Sequence, residues 1–576
     1  MASQLKVDTI SEVTSANGVA VDGVTLKDGA VGAAGTALTV AGIPFFQGDT
    51  GSIYTHDVSG TDNTATYNTA YGLEALDAIT DGDRNTAVGY QSGTALTTAV
   101  ESTFVGVSSG GSVTSGSYNT FMGRSAGLAT DTGTHNVMVG AYAGMTLTSG
   151  TSNIGVGYGA VSGQDGETNN LGVGRATLGA ANSGGEYNIA IGNYSLDALT
   201  SGDENIGIGY NAGTALTTGA SNIFIGNNAA GTGVVTGSNN IGIGPNSSQN
   251  MTSGNTNVGI GARTLHATTT GIKNTCVGME AGEDIVSAQN CTIMGYRAGY
   301  VNTAHECTAF GSESALANTS GSGITALGRE AYKQGDTEGH NLAIGVQAMA
   351  GAVNGGEYNV AVGNFSLDAL TSADHCTVVG YQAGTSVTTA SGSTFFGYQA
   401  GNGTTTGQDN VFVGKTAGYS NTTGGRNTGV GFGALYNADG EQQNIAIGYS
   451  ALGVVNSGGE FNTAIGNEAA DAITSADFCV AVGYQSLTNC TTGGNNIAVG
   501  RLAGDAVVDE DYTVCLGHGA GDDYIGAQSI MLGAFTRQHS DGDNEANAVC
   551  IGYNVNTGRG NQVHLGNTSV TAIKGQ

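Results

Sequence analysis

The sequence is poor in proline, tryptophan and charged residues. Its 576 residues include only 2 prolines and no tryptophan, and charged residues make up 11% of the chain. Ordinary globular domains carry about 25% charged residues and about 7% glycine. The 100 glycines come with almost no proline and no three-residue period, which excludes collagen. Regularly placed Val, Ile and Leu residues exclude a flexible linker, because linkers lack periodic apolar positions.

Positive charge is scarce as well. The chain has 16 Lys and Arg residues against 46 Asp and Glu, which gives a formal net charge of −30. Nucleic acids and anionic membranes would be repelled by this excess, so neither is expected as a partner. No basic segment followed by an apolar run opens the sequence. We therefore expect neither a secretory signal nor a transmembrane helix.

The sequence consists largely of one repeat. The segment Asn85-Thr86-Ala87-Val88-Gly89 recurs as Asn205-Ile206-Gly207-Ile208-Gly209 and Asn444-Ile445-Ala446-Ile447-Gly448. The last residue of each copy, the marker glycine, returns every 17 residues with few exceptions. Such a period predicts a solenoid of about 30 rungs.

Within each repeat, apolar and small residues alternate. The residue before the marker glycine is apolar, as in Val88, and the residue before that is usually small. This two-residue period predicts a short strand with its apolar residues on a buried face. A second apolar residue about seven positions after the glycine, such as Leu96 or Leu199, predicts a second short strand.

Stacking of such units predicts the architecture. No single repeat can bury its own apolar face, whereas stacked rungs share one narrow core. The Asn that opens most copies would then hydrogen-bond along the axis. We therefore predict an all-β protein, a parallel β-solenoid that forms a rod of roughly 140 Å at about 4.8 Å per rung.

Longer duplications are also visible. Gly184-Gly185-Glu186-Tyr187-Asn188 returns in closely related form at 355–359 and at 458–462. An Asp-Ala-apolar turn follows each copy, beginning at Asp197, Asp368 or Asp471. The rod therefore grew by duplication of blocks of several rungs.

Acidic turns are the candidate metal sites. Asp541, Asp543 and Glu545 lie in the longest repeat interval, and their carboxylates could supply oxygen ligands to Ca²⁺. The pairs Asp81 with Asp83 and Asp509 with Asp511 follow the same pattern with two carboxylates instead of three. The spacing lacks the rest of a Ca²⁺ loop, so solvated acidic turns are the alternative, and no other cofactor is predicted.

The eight cysteines follow the repeat register. Four replace the motif Asn, three take the small middle position, and Cys490 alone lies in a turn. This placement predicts free thiols that act as small buried residues, rather than a disulfide framework or a metal site. Cys291 and Cys307 occupy the same position on successive rungs, which predicts that they lie close together.

No constellation of residues resembles an active site. The nine His residues are scattered, and none recurs in register with an Asp and a Ser or Cys. We therefore predict that the chain is not an enzyme. Tyr often follows the marker glycine, and these residues predict either a sugar-binding stripe or a ladder that stiffens the rod. The five copies considered are Tyr90, Tyr158, Tyr210, Tyr381 and Tyr449.

The Asn-Thr-Ala-Val-Gly rung, followed three residues later by Ala or Ser, resembles the head repeats of trimeric autotransporter adhesins. It resembles the repeats in tail fibres of marine bacteriophages more closely. This resemblance covers most of the chain. It implies a left-handed parallel β-roll in which three identical chains associate side by side as a homotrimer.

The resemblance also implies three segments. Residues 1–50 would form an N-terminal base for virion attachment, and residues 51–508 the repetitive shaft. Residues 509–576 would form irregular rungs and a distal tip. The final stretch, from Leu565 to Gln576, resembles the sequence that precedes the self-cleaving chaperone of phage tailspikes.

The function that the resemblance implies is that of a bacteriophage tail fibre for host-surface attachment. Expected partners are two further copies, baseplate, tail or capsid proteins of the virion, and a polysaccharide or protein of the host surface. The chain would be located in the virion after assembly in the host cytoplasm, without nucleic acid and without membrane insertion.

Three alternatives remain open. A bacterial surface adhesin head would require export and a membrane-anchoring barrel. An ice- or surface-binding solenoid would require regular Thr-x-Thr pairs on a flat face, whereas the Thr residues cluster irregularly in turns. A polysaccharide-degrading tailspike would require paired carboxylates in a groove.

Overall fold

The structure is a computed structural model that describes residues 38–40, 43–47, 51–55, 63–180, 184–454, 458–538, 546–570 and 572. The described residues contain strands and turns but no helix. The predicted all-β, parallel β-solenoid with a 17-residue repeat is confirmed, and the coil makes about 29 turns.

Almost every strand has three residues and lies just before a marker glycine. The first group comprises β1 (Leu38–Val40), β2 (Ile43–Gln47), β3 (Ile53–Tyr54), β4 (Thr69–Tyr71), β5 (Thr86–Val88), β6 (Thr103–Val105), β7 (Thr120–Met122), β8 (Val137–Val139), β9 (Ile154–Val156), β10 (Leu171–Val173), β11 (Ile189–Ile191) and β12 (Ile206–Ile208). The second group comprises β13 (Ile223–Ile225), β14 (Ile241–Ile243), β15 (Val258–Ile260), β16 (Thr275–Val277), β17 (Thr292–Met294), β18 (Thr308–Phe310), β19 (Thr325–Leu327), β20 (Leu342–Ile344), β21 (Val360–Val362), β22 (Thr377–Val379), β23 (Thr394–Phe396) and β24 (Val411–Val413). The third group comprises β25 (Thr428–Val430), β26 (Ile445–Ile447), β27 (Thr463–Ile465), β28 (Val480–Val482), β29 (Ile497–Val499), β30 (Val514–Leu516), β31 (Ile530–Leu532), β32 (Arg537–Gln538), β33 (Val549–Ile551), β34 (Asn556–Thr557) and β35 (Val563–Leu565).

One sheet runs along the whole coil. Its 31 parallel strands begin at β3 and end at β35, and each pairs with the strands one rung away in strict register. At one end, β1 and β2 extend this sheet in antiparallel pairing. Near the other end, β32 and β34 form a separate two-stranded parallel sheet. The division of the chain at residues 50 and 508 stays a prediction.

Most described rungs have one strand, so the prediction of two strands per repeat was wrong for them, and β32 and β34 add a second, two-residue strand near the end of the coil. Leu96 and Leu199 are fully buried, but they point into the core from turns. In a typical rung, the backbone reverses through residues with left-handed conformations, such as Gln91 (φ 55°) and Glu101 (φ 53°). These corners close the coil within 17 residues and leave too little extended chain for a second strand.

The buried side of the strand is opposite to the expected one. The small middle residue points inward, and Ala87 has no exposed surface, whereas Val88 is 36% exposed. The same inward position holds Phe104 and Phe121 in the next two rungs. Successive side chains of a strand alternate between its two faces. Because the middle residue points inward, the apolar residue beside the marker glycine points outward.

A ladder of asparagines runs through the core, as the sequence predicted. Asn205 is fully buried. Its Oδ1 accepts the N–H of Asn222 at 2.9 Å, and its Nδ2 donates to the Gly219 carbonyl at 2.9 Å. Asn85 and Asn444 make equivalent bonds to the next rung. Each asparagine thus satisfies two backbone groups that the sheet leaves unpaired.

The marker glycines stack directly on one another. Gly209 has a φ of +136°, and a Cβ atom added there would meet the carbonyl oxygen of Gly226 at 2.5 Å. Gly89 and Gly448 have the same conformation and the same kind of neighbour. Only glycine allows both this φ and this close backbone approach, which explains its strict recurrence.

Candidate interaction face

The outward residues of the strands form a long apolar surface, which we call the outer face. It consists of the first and third residues of each three-residue strand, from Thr69 and Tyr71 to Val563 and Leu565. The third residue is apolar throughout, and the first is Thr or an apolar residue. The exposed fraction of the side chains on this surface is 45% at Phe310, 57% at Phe396 and 64% at Val563.

The outer face is continuous along the described part of the sheet. No charged residue interrupts it within the described three-residue strands. Contiguous apolar patches larger than a few hundred Å² are uncommon on monomeric proteins, and such patches mark interaction sites. The outer face thus has the character of an interface, although sequence reasoning placed these residues in the core.

The border of the outer face beside the marker glycines is cationic and aromatic. It consists of the residue that follows each marker glycine, and no described residue at this position is Asp or Glu. We call it the cationic border. Its positively charged residues are Arg124, Arg175, Arg329, Lys415 and Arg501, of which Arg329 forms an ion pair with Glu330 at the next position.

Aromatic rings stack along the same border. The rings of Tyr381 and Tyr398 are nearly parallel at 5.6 Å, and those of Phe432 and Tyr449 at 5.4 Å. The ammonium group of Lys415 lies between the two pairs, 5.7 Å from Tyr398 and 5.4 Å from Phe432. The ladder hypothesis thus holds at Tyr381 and Tyr449, whereas Tyr158 and Tyr210 meet Tyr142 and Tyr194 edge-on. Binding of sugars along this stripe stays a hypothesis.

The opposite border is acidic. It consists of the two residues before each inward Asn position, and we call it the acidic border. Its carboxylates are Asp83, Glu101, Glu186, Asp203, Glu204, Glu306, Glu357, Asp374, Asp409, Glu460, Asp477 and Asp511. Its cations are Arg84, Lys273 and Arg426, and Arg84 forms an ion pair with Glu101 at 3.0 Å.

Several of these carboxylates accept hydrogen bonds from the backbone of a neighbouring rung. Asp83 accepts the backbone N–H of Thr66 at 2.8 Å, and Asp511 accepts that of Gly494 at 2.7 Å. The bonds from Thr66 hold the pKa of Asp83 below its usual value. These bonds account for the acidic turns at Asp81 with Asp83 and at Asp509 with Asp511, which were considered as Ca²⁺ sites with two carboxylates each. Asp541, Asp543 and Glu545 lie outside the described residues, and the described residues contain no group of three or more potential metal ligands.

Three buried glutamates were not found from the sequence. Glu167, Glu338 and Glu441 each occupy an inward position that is usually Ala or Gly, and each accepts the N–H of the glycine 17 residues later. These glycines are Gly184, Gly355 and Gly458, which open the duplicated blocks. The signal was present as Asp-x-Glu before each block, but only the structure shows that these carboxylates cap the longer turns.

All eight cysteines are free and buried, as predicted. Burial raises the pKa of the Cys376 thiol to about 11 and that of Cys515 to about 12. Cys479 and Cys490 both donate to the Gly493 carbonyl, at 3.4 and 3.3 Å. Cys490 thus points into the core, although its position lies in a turn. Their burial makes these thiols unreactive in the folded coil.

The threonines of the turns recur at the same position of the rung more regularly than the sequence suggested. Thr97, Thr388 and Thr405 occupy the same position in their rungs, and each hydroxyl donates to a carbonyl one rung away at 2.9–3.0 Å. These hydroxyls therefore hold rungs together. No described three-residue strand has Thr at both outward positions.

Among the described residues, no helix has the length and hydrophobicity needed to cross a membrane. Comparisons with protein-family models, curated proteins and solved structures found no significant match to this chain.

Proposed function

We propose that the chain is the structural shaft of a bacteriophage fibre, most closely a tail fibre that attaches the virion to the host surface. Three copies associate side by side through the outer face. The observation that carries the proposal is this apolar surface, which follows the rung spacing along the described sheet. A rod of roughly 140 Å, at about 4.8 Å per rung, gives the reach that attachment requires.

The repeat of the outer face favours a second copy of the chain as its partner. Apolar side chains recur at every rung, so a partner must present matching side chains at the same spacing over the same length. Another copy meets this condition without further adjustment, and closed homo-oligomers are the common form of such association. The number three rests on the resemblance to trimeric fibres.

The remaining surface fits a non-enzymatic fibre. The net charge of −30 disfavours nucleic acids as partners and keeps separate fibres apart. Several weak contacts made by the ends of such fibres add up to firm attachment to a host polysaccharide or protein. The other end would join baseplate, tail or capsid proteins of a virion that is assembled in the host cytoplasm.

The association is tested by the mass of the purified chain in solution. Light scattering is expected to give three times the 57.1 kDa of one chain, and negative-stain images should show rods of roughly 140 Å at about 4.8 Å per rung. A mass of one chain at micromolar concentration would contradict the trimeric fibre.

The biological role is tested on particles. Antibodies against the purified chain, detected with gold, are expected to label the fibres of virions produced from a genome that encodes the chain. Labelling of the surface of uninfected cells would instead support the adhesin. Clearing of capsule polysaccharide by the purified chain would contradict the absence of enzymatic activity.

A further inference from the structure

Three exposed aromatic rings stack on one stretch of the acidic border. The ring of Tyr358 lies between those of His340 and His375, at centroid distances of 5.0 and 5.5 Å, and the three rings are nearly parallel. Gly323 and Gly392 occupy the same position one rung beyond each end, so the stack has no further ring at either end. Such rings offer an apolar face with polar atoms at its edge, which suits the stacking of a sugar ring.

A polar cavity begins two rungs beyond His375 on the same border. Gly425 has no side chain between Gln408 and Gln442, which occupy the same position one rung to either side. The space left is a cavity of about 190 Å³. Its lining consists of Gln408, Asp409, Thr423, Gly425, Arg426 and Gln442. Pockets for drug-sized ligands measure about 300–1,000 Å³ and are mostly apolar, so this smaller cavity suits a single small polar unit.

The charged groups of the cavity have no partner among the described residues. Asp409 and Arg426 lie one rung apart, at the same position as Arg84 and Glu101, which form an ion pair at 3.0 Å. The carboxylate of Asp409 instead leans over Gly392, where an added Cβ would meet its Oδ1 at 2.6 Å. Within the described part of the chain, none of the five side chains of the cavity makes a hydrogen bond or an ion pair. A charged acceptor and a charged donor therefore remain available to a ligand.

We infer that the stacked rings and the cavity, which we call the glycan strip, bind a neutral polysaccharide. One sugar unit lies in the cavity and neighbouring units lie against the rings, over about 30 Å at about 4.8 Å per rung. A hydroxyl group both donates and accepts, so adjacent sugar hydroxyls satisfy Asp409 and Arg426 together. A phosphate group would leave Asp409, which only accepts, without a donor. A metal ion would be repelled by Arg426.

The charges around the glycan strip favour a neutral polysaccharide over an acidic one. On this stretch of the acidic border Arg426 is the single Arg or Lys. Carboxylates on or beside the rungs of the strip include Glu357, Asp374, Asp439 and Glu460. An acidic polysaccharide would be repelled by this excess of negative charge. Use of the strip in host attachment rests on the proposed function, whereas binding itself does not depend on how copies of the chain associate.

Binding is measured by titration calorimetry with the purified full chain. The probes are short oligomers of glucan, mannan and galactan, with polyuronate and sulfated oligomers as acidic probes. At least one neutral oligomer is expected to bind, and the acidic oligomers should bind roughly tenfold more weakly or not at all. Absence of binding to every neutral oligomer, or stronger binding of an acidic one, would overturn the inference. The mass of the chain in solution and the labelling of virions would not change, so the fibre proposal would stand.

Three variants locate the binding site. Tyr358→Ala removes the central ring, and Arg426→Gln removes the guanidinium that has no partner. Gly425→Gln fills the cavity with the side chain that both neighbouring rungs carry at this position. Each variant is expected to raise the dissociation constant of the bound oligomer roughly tenfold or more, because Tyr and Arg side chains contribute most at binding sites.

The matched controls change the same residue types at the same position of other rungs. Tyr118 stacks on His135 at 4.8 Å, and Arg84 forms its ion pair with Glu101. Tyr118→Ala and Arg84→Gln are expected to bind the oligomer as the wild type does. An unchanged unfolding midpoint shows that each variant is folded. Equal losses of binding in the variants and their controls would overturn the inference, as would unchanged binding in all three variants.

Discussion

At the scale of the residue, the core asparagines are the most demanding part of the structure. Asn205 joins its own rung to two others, because it also donates to Asn188 Oδ1 at 3.1 Å. A buried polar group that loses its partner costs about 1–3 kcal/mol. The ladder is interrupted at Cys376, whose thiol donates to the Ala390 carbonyl at 3.2 Å. It is also interrupted at Ile324, where a buried apolar side chain takes the inward position.

Replacement of Asn205 therefore has a large expected effect. Asn205→Ala should lower the free energy of unfolding by on the order of 3 kcal/mol, because the N–H of Asn222 and the carbonyl of Gly219 are left buried without this partner. Denaturant unfolding measures the change. Asn227→Ala is the control, since Asn227 is exposed and its side chain makes no hydrogen bond in the described structure. Equal effects of the two changes would contradict the ladder.

The buried glutamate Glu338 and the half-buried Asp368 respond to pH in opposite directions. Burial alone would raise the pKa of Glu338, but hydrogen bonds from Thr337 and Gly355 outweigh it and hold the pKa below its usual value. Its stabilisation is present above the unfolded pKa of about 4.3 and is lost as the pH falls through the folded value. Burial and the nearby Glu330 raise the pKa of Asp368, so protonation of Asp368 favours the folded state.

We expect Glu338→Gln to lower the unfolding midpoint at pH 7 and to flatten the loss of stability towards about pH 3. Asp368→Asn should raise the midpoint at pH 7, because it removes a poorly solvated charge. Glu306→Gln, at an exposed position, is the control for the replacement of a single carboxyl group by an amide. If the unfolding midpoint of Glu338→Gln depended on pH as that of the wild type does, the hydrogen bonds accepted by Glu338 would contribute nothing to stability.

At the scale of the element, the stacked glycine turns limit what each rung tolerates. Gly209→Ala places a Cβ against the carbonyl oxygen of Gly226, and it also requires a φ that only glycine adopts readily. Backbone strain alone costs about 1–3 kcal/mol. Gly184 has a similar φ of +130°, but a Cβ added there has no neighbour within 4 Å.

The two glycines separate strain from close contact. Gly209→Ala is expected to destabilise the coil more than Gly184→Ala, and the difference between their unfolding free energies measures the contact. Limited proteolysis should reveal opening near residue 209 in the first variant. A Gly184→Ala variant that is equally unstable would show that backbone conformation alone, and not the close contact, accounts for the regular recurrence of glycine.

The two sides of a strand make an equally direct comparison. Ala87 and Val88 are neighbours in β5 and point to opposite sides. Ala87→Lys should prevent the coil from closing around this rung, because an unpaired charge would be buried. Combined Val88→Lys, Ile208→Lys and Ile447→Lys changes should leave each chain folded, but abolish association measured by light scattering. Unfolding of the triple variant would show that these residues belong to the core after all.

At the scale of the whole molecule, the coil is a one-dimensional stack in which each rung contacts its neighbours. Stability in such a stack is the sum of rung and interface terms, so the ends open more readily than the middle. The cysteines lie between residues 276 and 550, and all are buried. They therefore report the opening of the second half of the coil, rung by rung.

We expect the native chain to resist alkylation at neutral pH. In mild denaturant, Cys550 should be modified before Cys376, because it lies nearer the end of the coil. Peptide mapping by mass spectrometry after brief labelling measures the order. Simultaneous modification of all eight thiols would show that the coil unfolds as one unit.

The sequence by itself determined the repeat, the place of the strand in each rung, and the roles of Asn205 and Gly209. These features are local, since a strand, a glycine turn and a ladder residue must recur at the period of the coil. It could not show that the side chain of Val88 points away from the core, nor that Leu96 points inward from a turn. Nor could it show that Glu338 caps a longer turn.

Only the tertiary structure decided these points. The coil closes within 17 residues, so inward side chains of the turns compete with those of the strand for a narrow interior. The middle residue of the strand, small as at Ala87 or large as at Phe104, shares this interior, and alternation along the strand directs its first and third residues outward. The same closure brings residues that are distant in each repeat to the two borders of one face. The candidate interface therefore depends on the closed coil and not on the local sequence pattern.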